Sequence, residues 1–428
     1  METSRTLILG SAFKTLHRWT GHAFTRVRSL TFEVVLVMVL RKSVKSLQNV
    51  VNEAMAWLGV GTVTASAYSQ ARYKLKHTAF IELNQKAVVE TMYGDGDYKR
   101  FWGFRIVAVD GSKIVLPDTE DVCAEFGTIA YAGGKTAAIA GQRPYALASV
   151  LYDVLNRVAL DAVLGRAAAY EVDLCVAQLA HTRPGDLLLL DRNYPSYRML
   201  AEFARHRREY AVRCSAASFA QARRMLRGGG PDSLIATLTP CAGQAAEVKA
   251  LGLAASIRVR FVRVRLATGE FEVLVTSLLD AAKYPVEGFL ELYGLRWGIE
   301  SFYGLIKTRL ELENFTGNGA EAVRQDFHAT VYLSGLESIL TAPAQATLDA
   351  KAVRHPQTVN RAVSFNAIKN AAFGLLVGDL ATGPLLEKLT ALFLTNPCLD
   401  RKGRNPPRIK TSARGLLEFQ RRQKKHCF

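Results

Sequence analysis

Tyr293-Gly-Leu-Arg-Trp-Gly-Ile-Glu-Ser-Phe-Tyr-Gly-Leu-Ile-Lys307 is the stretch on which the reading of this chain turns. On a helix advancing about 100° per residue, Tyr293, Arg296, Glu300 and Lys307 fall within an arc of about 60°. Leu295, Ile299, Phe302 and Ile306 recur at i, i+4, i+7 and i+11 on the other side. The segment therefore reads as one helix with an apolar face for a core and a narrow polar face. That polar face carries a phenol, a guanidinium, an acid and an amine. An i,i+4 ion pair between Arg296 and Glu300 would account for two of them, at a few tenths of a kcal/mol. It leaves Tyr293 and Lys307 without a reason. It also leaves Gly294, Gly298 and Gly304, each costing about 1 kcal/mol against alanine in a helix interior. Close approach of another backbone, or of a ligand, would supply that reason.

Upstream the hydrophobic period changes from helical to two. Phe104-Arg-Ile-Val-Ala-Val-Asp110 reads as a strand ending in an acid, and Lys113-Ile-Val-Leu116 resumes after Gly111-Ser112. The pair predicts a hairpin, for which Asp110-Gly111 is a favoured turn. The same Asp110 is equally a strand-end ligand. Asp186-Leu-Leu-Leu-Leu-Asp191 is a continuous apolar run, as in a strand buried on both faces. Its two acids lie at opposite ends. Asp191 is preferred because a helix follows it, although a strand-ending Asp is also a common turn or cap residue. Phosphodiester chemistry with two divalent ions requires carboxylates that converge on metals roughly 3.5–4 Å apart. Asp110 and Asp191 from strand ends, with Glu300 from a helix packed across them, are the candidates.

Composition sets the class. With 428 residues, 49% of them hydrophobic, the chain can bury a large core and is expected to form two to four domains. A formal net charge of +17 favours a polyanionic partner, nucleic acid before anionic membrane. The longest apolar run, Val34 to Leu40, is too short to cross a bilayer. The early apolar stretch is broken by Lys14, His17 and Arg18, which does not read as a signal peptide. Six cysteines form no CxxC pair, so neither a zinc site nor a disulfide framework is expected, and a reducing cytoplasm fits. The cation-rich segment beyond Arg401, interrupted by Pro406-Pro407, is a candidate clamp on a phosphate backbone.

Residues 1–95 read as helical. Thr64 is a candidate cap for a helix whose apolar stripe is Tyr68, Ala71, Leu75 and Ala79. Arg72 and Lys76 beside that stripe are candidate phosphate contacts, although an ordinary amphipathic helix has the same pattern. Residues 210–284 read as a β-rich insertion with strands near 210–214, 234–238, 256–266 and 271–278. Arg258 and Arg260 share one strand parity and Arg263 and Arg265 the other. A bulge near Phe261 would gather all four on one face; without it they split. Residues 343–362 read as a linker.

The signature Tyr293-x2-Arg296-x3-Glu300-x6-Lys307 resembles that of the insertion-sequence-4-like DDE transposases, in spacing and in identity. Asp110-Gly111-Ser112 resembles the first acidic motif of that family, and Asp191-Arg192-Asn193-Tyr194-Pro195 its second. Asn193 departs from the small residue usual there, and asparagine tolerates a positive φ if the turn needs one. The resemblance covers about residues 30–340. It implies an α/β, RNase H-like mixed sheet flanked by helices, with a β-rich insertion before the catalytic Glu helix and helical terminal regions. The catalytic domain would be residues 96–209 and 285–340, with 341–428 a helical region and basic tail. The resemblance further implies that Asp110, Asp191 and Glu300 bind two Mg2+ or Mn2+ ions. Tyr293, Arg296, Lys307 and Arg192 would contact DNA at the cut, Tyr293 by bonding a phosphate or by steadying the arginine. Arg258 and Arg260 of the insertion join Arg72 and Lys76 as further candidate contacts. Phe261 and Phe271 are candidates to hold a flipped base, whereas Trp297 reads as packing. The implied activity is cleavage at transposon ends and strand transfer into target DNA, by a homodimer on double-stranded DNA in the bacterial cytoplasm at the nucleoid. A nuclease without strand transfer, or an inactive DNA-binding relic, would share most of these features.

Overall fold

The computed structural model describes residues 1–26, 28–131, 141–266, 268–378 and 381–401. The basic segment beyond Arg401 lies outside the described residues. The chain divides into two compact units. One comprises Met1–Asp95, Ile114–Ala146 and the chain from Leu305 onward; the other comprises Gly96–Lys113 and Leu147–Gly304.

The second unit holds most of a mixed sheet. Its strands are β1 (Arg105–Val115), β2 (Thr128–Tyr131), β3 (Gly141–Asp153), β4 (Val158–Arg166), β5 (Asp186–Leu190) and β6 (Glu209–Cys214); β4-β3-β1-β5-β6 are neighbours in that order, and β2 pairs with the start of β3. β3 and β4 form a hairpin whose turn is closed by Asp153, which accepts from the amides of Leu155 and Asn156 at 3.0 Å each. The bonds Val154 N–H to the Ile106 carbonyl and Leu116 N–H to the Pro144 carbonyl fix β1 antiparallel to β3. β5 then runs parallel to β1, and β6 parallel to β5. Three antiparallel strands followed by two parallel ones, with the first strand central, make this an RNase H-like sheet.

The register of β1 on β5 is fixed at its buried end. Arg105 lies opposite Asp186, and its guanidinium makes two 2.7 Å bonds to the carboxylate, both residues being almost fully buried. Asp186 is thereby committed to the frame. Leu187 to Leu190 are buried on both faces, as the apolar run required. Helices flank this sheet. Phe203 of the Tyr197–Arg205 helix packs on Tyr210, and Phe302 of the Trp297–Thr308 helix stacks on Tyr152 at 4.5 Å. Ser196 caps the first of these helices by accepting from the Met199 amide.

Several expectations are corrected. Asp110-Gly111 makes no hairpin turn, because β1 is one continuous strand through both residues. A Cβ at Gly111 would lie 2.5 Å from Oε1 of Glu171, so the glycine serves close approach within a strand. The strands of the β-rich segment 210–284 join the central sheet. β6 belongs to the central sheet, and β9 (Phe271–Thr276), β8 (Ile257–Arg265) and β7 (Ser233–Leu238) extend that sheet in antiparallel order from its edge. The pairing of β8 runs without a bulge, so its arginines split between faces. Arg258 is exposed. Arg260 is buried, donating to the Ser233 hydroxyl and to the Tyr284 carbonyl at 2.7 Å, so it is a core tie and not a DNA contact. Phe261, a candidate base holder, is fully buried against Phe219.

In the first unit, Thr64 caps the Ala65–Arg72 helix through the Ala67 amide, and Tyr68, Ala71, Leu75 and Ala79 are buried. Arg72 is not presented to a ligand. It is buried and bonded to Asp326, Gln325, Thr316 and the Ala322 carbonyl, a local core role that the helical pattern could not distinguish from a surface one. Lys76 is half-buried, near the Leu16 carbonyl and the Trp19 ring. The expected linker at 343–362 shrinks, because the Ala320–Asp349 helix continues through Pro343. No described helix is long and apolar enough to cross a membrane.

These placements separate two arginines on one strand. Arg260→Ala leaves buried carbonyls unpaired and is expected to cost about 2–4 kcal/mol, whereas Arg258→Ala should stay within about 0.5 kcal/mol of the parent. Urea denaturation checks both; equal costs would contradict the assigned faces.

Candidate active site

Asp110 and Asp191 arrive at the same end of neighbouring parallel strands. The register that pairs Ala108 with Leu189 brings them level two residues later. Asp110 is half-buried and accepts from the Gly111 amide at 2.9 Å. Burial first, and then the charge of Asp191, push its carboxyl up to about 6, against the pull of the Gly111 amide and Arg296. Glu171, at the start of the Glu171–Gln178 helix, adds a further negative charge beside Asp110. Asp191 accepts from the Asn193 amide at 2.8 Å, closing the turn that leads into the Tyr197–Arg205 helix. Asn193 does not take up a positive φ, so the turn needs no residue tolerant of one. Arg192 is exposed beside it.

The signature segment is two helices, not one. Gly288–Gly294 ends before Arg296, and Trp297–Thr308 begins after it. The four side chains therefore do not share one continuous arc. Tyr293 is buried and donates to the Leu190 carbonyl at 3.4 Å, one residue before Asp191, while the Arg296 guanidinium lies over its ring at 5.6 Å. Arg296 is buried and donates to Glu300 at 2.8 Å. It also feels the charge of Asp110. Its guanidinium is thus a counter-charge to both acids. Glu300 keeps a 41% exposed side chain. Among the described residues no three acidic, His or Cys side chains are gathered at metal-ligand range. Asp110 and Asp191 come level at neighbouring strand ends, and Glu300 is bonded to Arg296.

Ile299, Phe302 and Ile306 are buried as the helical period requires. Gly298 meets Val154 at 3.0 Å from where its Cβ would stand, so close packing explains it; Gly294 and Gly304 face open space. Trp297 is 52% exposed, with the Arg296 guanidinium over its ring at 4.9 Å. Phe271 is 37% exposed, with the Arg263 guanidinium over its ring. Lys307, in the last turn of its helix, belongs to the first unit, where it lies 3.8 Å from Glu313. Sequence reasoning missed two tyrosines and an acid. Tyr303 is buried and donates to the Asp110 carbonyl at 2.9 Å, fixing the backbone that carries the acid. Tyr194 and Glu171 carried no spacing signal beyond a turn motif and a first helical turn.

The donor set suits a hard divalent cation: oxygen ligands only, two of them converging with like charge and incompletely compensated. A carboxyl raised in the folded state binds a proton that the unfolded chain has released. The protein therefore loses stability as pH rises from about 4 through about 6. Asp110→Asn is expected to stabilise the metal-free protein by roughly 1–2 kcal/mol at pH 8. The gain should vanish below about pH 4, where both forms are neutral. Urea titrations in EDTA at both pH values check this; an equal effect at both would contradict the strained acid.

A family model described as the transposase DDE domain matches residues 102–333. The transposase InsG of insertion sequence element IS4 from Escherichia coli K12 is 24% identical over 257 residues, covering 59% of this chain and 55% of that protein. The chain thus spans about half the length of that curated relative. A cryo-EM structure of the piggyBac transposase synaptic complex with hairpin DNA superposes with a TM-score of 0.48 at 10% identity, covering 92% of this chain and 85% of that one. With the match extending across more than half its length, the chain belongs to the transposase DDE domain family.

Proposed function

We propose that this protein is a DDE transposase that cleaves DNA at the ends of its own mobile element and joins the freed ends to target DNA. The observation that carries this reading is the level placement of Asp110 and Asp191 on adjacent parallel strands, with Arg296 linking Asp110 electrostatically to Glu300. Bound at these acids, a pair of Mg2+ or Mn2+ ions would activate an attacking hydroxyl and offset charge on the leaving oxygen. Asp110 and Asp191 hold the ligand oxygens on a rigid sheet, and Tyr303 keeps the Asp110 backbone from shifting. Arg296 keeps Glu300 in reserve and, on releasing it, becomes free to pair with a phosphate. Exposed Arg192 and Arg258 and half-buried Lys76 supply phosphate-directed charge, and the net charge of +17 supports a DNA partner. A homodimer holding two DNA ends is part of the same proposal.

Alanine at Asp110, Asp191 or Glu300 is expected to lower cleavage of DNA carrying the element's terminal inverted repeats by at least about 100-fold. Binding of the same DNA in a mobility-shift assay should stay within a few-fold. A variant that still cleaves at the parent rate would remove its residue from the metal site. Lys307→Ala should reduce the salt dependence of DNA binding by about one unit of log–log slope. An unchanged slope would contradict a phosphate contact there.

A further inference from the structure

An acid in the first turn of a helix ordinarily serves the helix dipole from the surface. In the Glu171–Gln178 helix, Asp173 does this, exposed and paired with Arg198 at 2.8 Å. Glu171 behaves differently. Its carboxylate lies over β1 at Gly111: a Cβ there would stand 2.5 Å from Oε1, so any larger residue would push the Glu171 side chain aside. The side chain is half-buried. The charges it faces are those of Asp191 and Asp110, with Lys113 as the counter-charge. These like charges raise one another's energy, and a cation drawing them together would relieve that.

A second observation points to the same place independently. Tyr194 is fully buried, yet its hydroxyl has no hydrogen-bond partner among the described residues. That hydroxyl interacts with the charges of Glu171 and Asp110. Buried hydroxyls in folded proteins are almost always bonded, and an orphan of this kind marks a partner such as an ion's water.

We propose that Glu171 is a fourth carboxylate of the divalent-cation site, acting with Asp110 and Asp191, and that the Tyr194 hydroxyl bonds a water held at that cation. This rests on the reading that Asp110 and Asp191 bind divalent ions. It gives the site a third acid while Glu300 is still engaged by Arg296.

The test uses Mn2+ alone with the full-length, DNA-free protein, free Mn2+ being followed by its electron paramagnetic resonance signal. Circular dichroism confirms that each variant is folded. Glu171→Gln is expected to weaken Mn2+ binding by at least about tenfold. Gly111→Ala, whose added methyl displaces the Glu171 carboxylate without removing its charge, should weaken it comparably and decides the matter should the first variant fail to fold. Asp110→Asn and Asp191→Asn should also lose binding. Unchanged affinity in Glu171→Gln and Gly111→Ala, with loss in the two aspartate variants, would overturn the role of Glu171 and leave the site standing. Unchanged affinity in all four would overturn the site itself.

Discussion

The parallel pairing of β1 with β5 is the constraint from which the rest follows. It is pinned at one end by Arg105 and Asp186, a bidentate ion pair sealed from water. A one-residue slip would part these charges in a low-dielectric interior and take Asp191 out of level with Asp110. Held in that register, the same two strands deliver Asp110 and Asp191 side by side at the other end. The frame concentrates negative charge where the strands leave the core, and the elements around that point answer it. Arg296 comes in as a counter-charge, Tyr303 fixes a carbonyl, and Gly111 yields room to Glu171.

Burial decides how each group behaves. Asp110 titrates high because it is desolvated beside another acid, and a divalent cation would remove both causes at once. Arg296 holds Glu300 through a single charge-assisted bond from a buried guanidinium, while the acid's own side chain stays partly in water. Such a pair is readily exchanged: the carboxylate can rotate toward a stronger cation without leaving solvent contact. The break between the Gly288–Gly294 and Trp297–Thr308 helices falls at this arginine, so its backbone is not locked into one long rod.

Much of this was legible in the residues. The leucine run from Asp186 marked a doubly buried strand, Thr64 marked a helix start, and Ile299, Phe302 and Ile306 marked a core face. What misled were residues whose pattern is the same inside and outside. Arg72 and Arg260 have cationic spacing but are tied to buried carbonyls and acids that only the fold supplies. Asp110-Gly111 has the composition of a turn, and only the neighbouring Glu171 reveals that the glycine serves a close approach. Arg296 and Tyr293 were legible as a unit, but their burial was not, because helical period says nothing of a break between two short helices. Glu171 left no signature, since its role depends on contact across chain segments far apart in sequence.

Anomalous diffraction from crystals grown with Mn2+ tests the central claim most directly. The account requires density between the carboxylates of Asp110 and Asp191, with Glu300 drawn off Arg296 where a second ion enters. Manganese bound elsewhere, with those two aspartates empty and Glu300 still on the guanidinium, would contradict it.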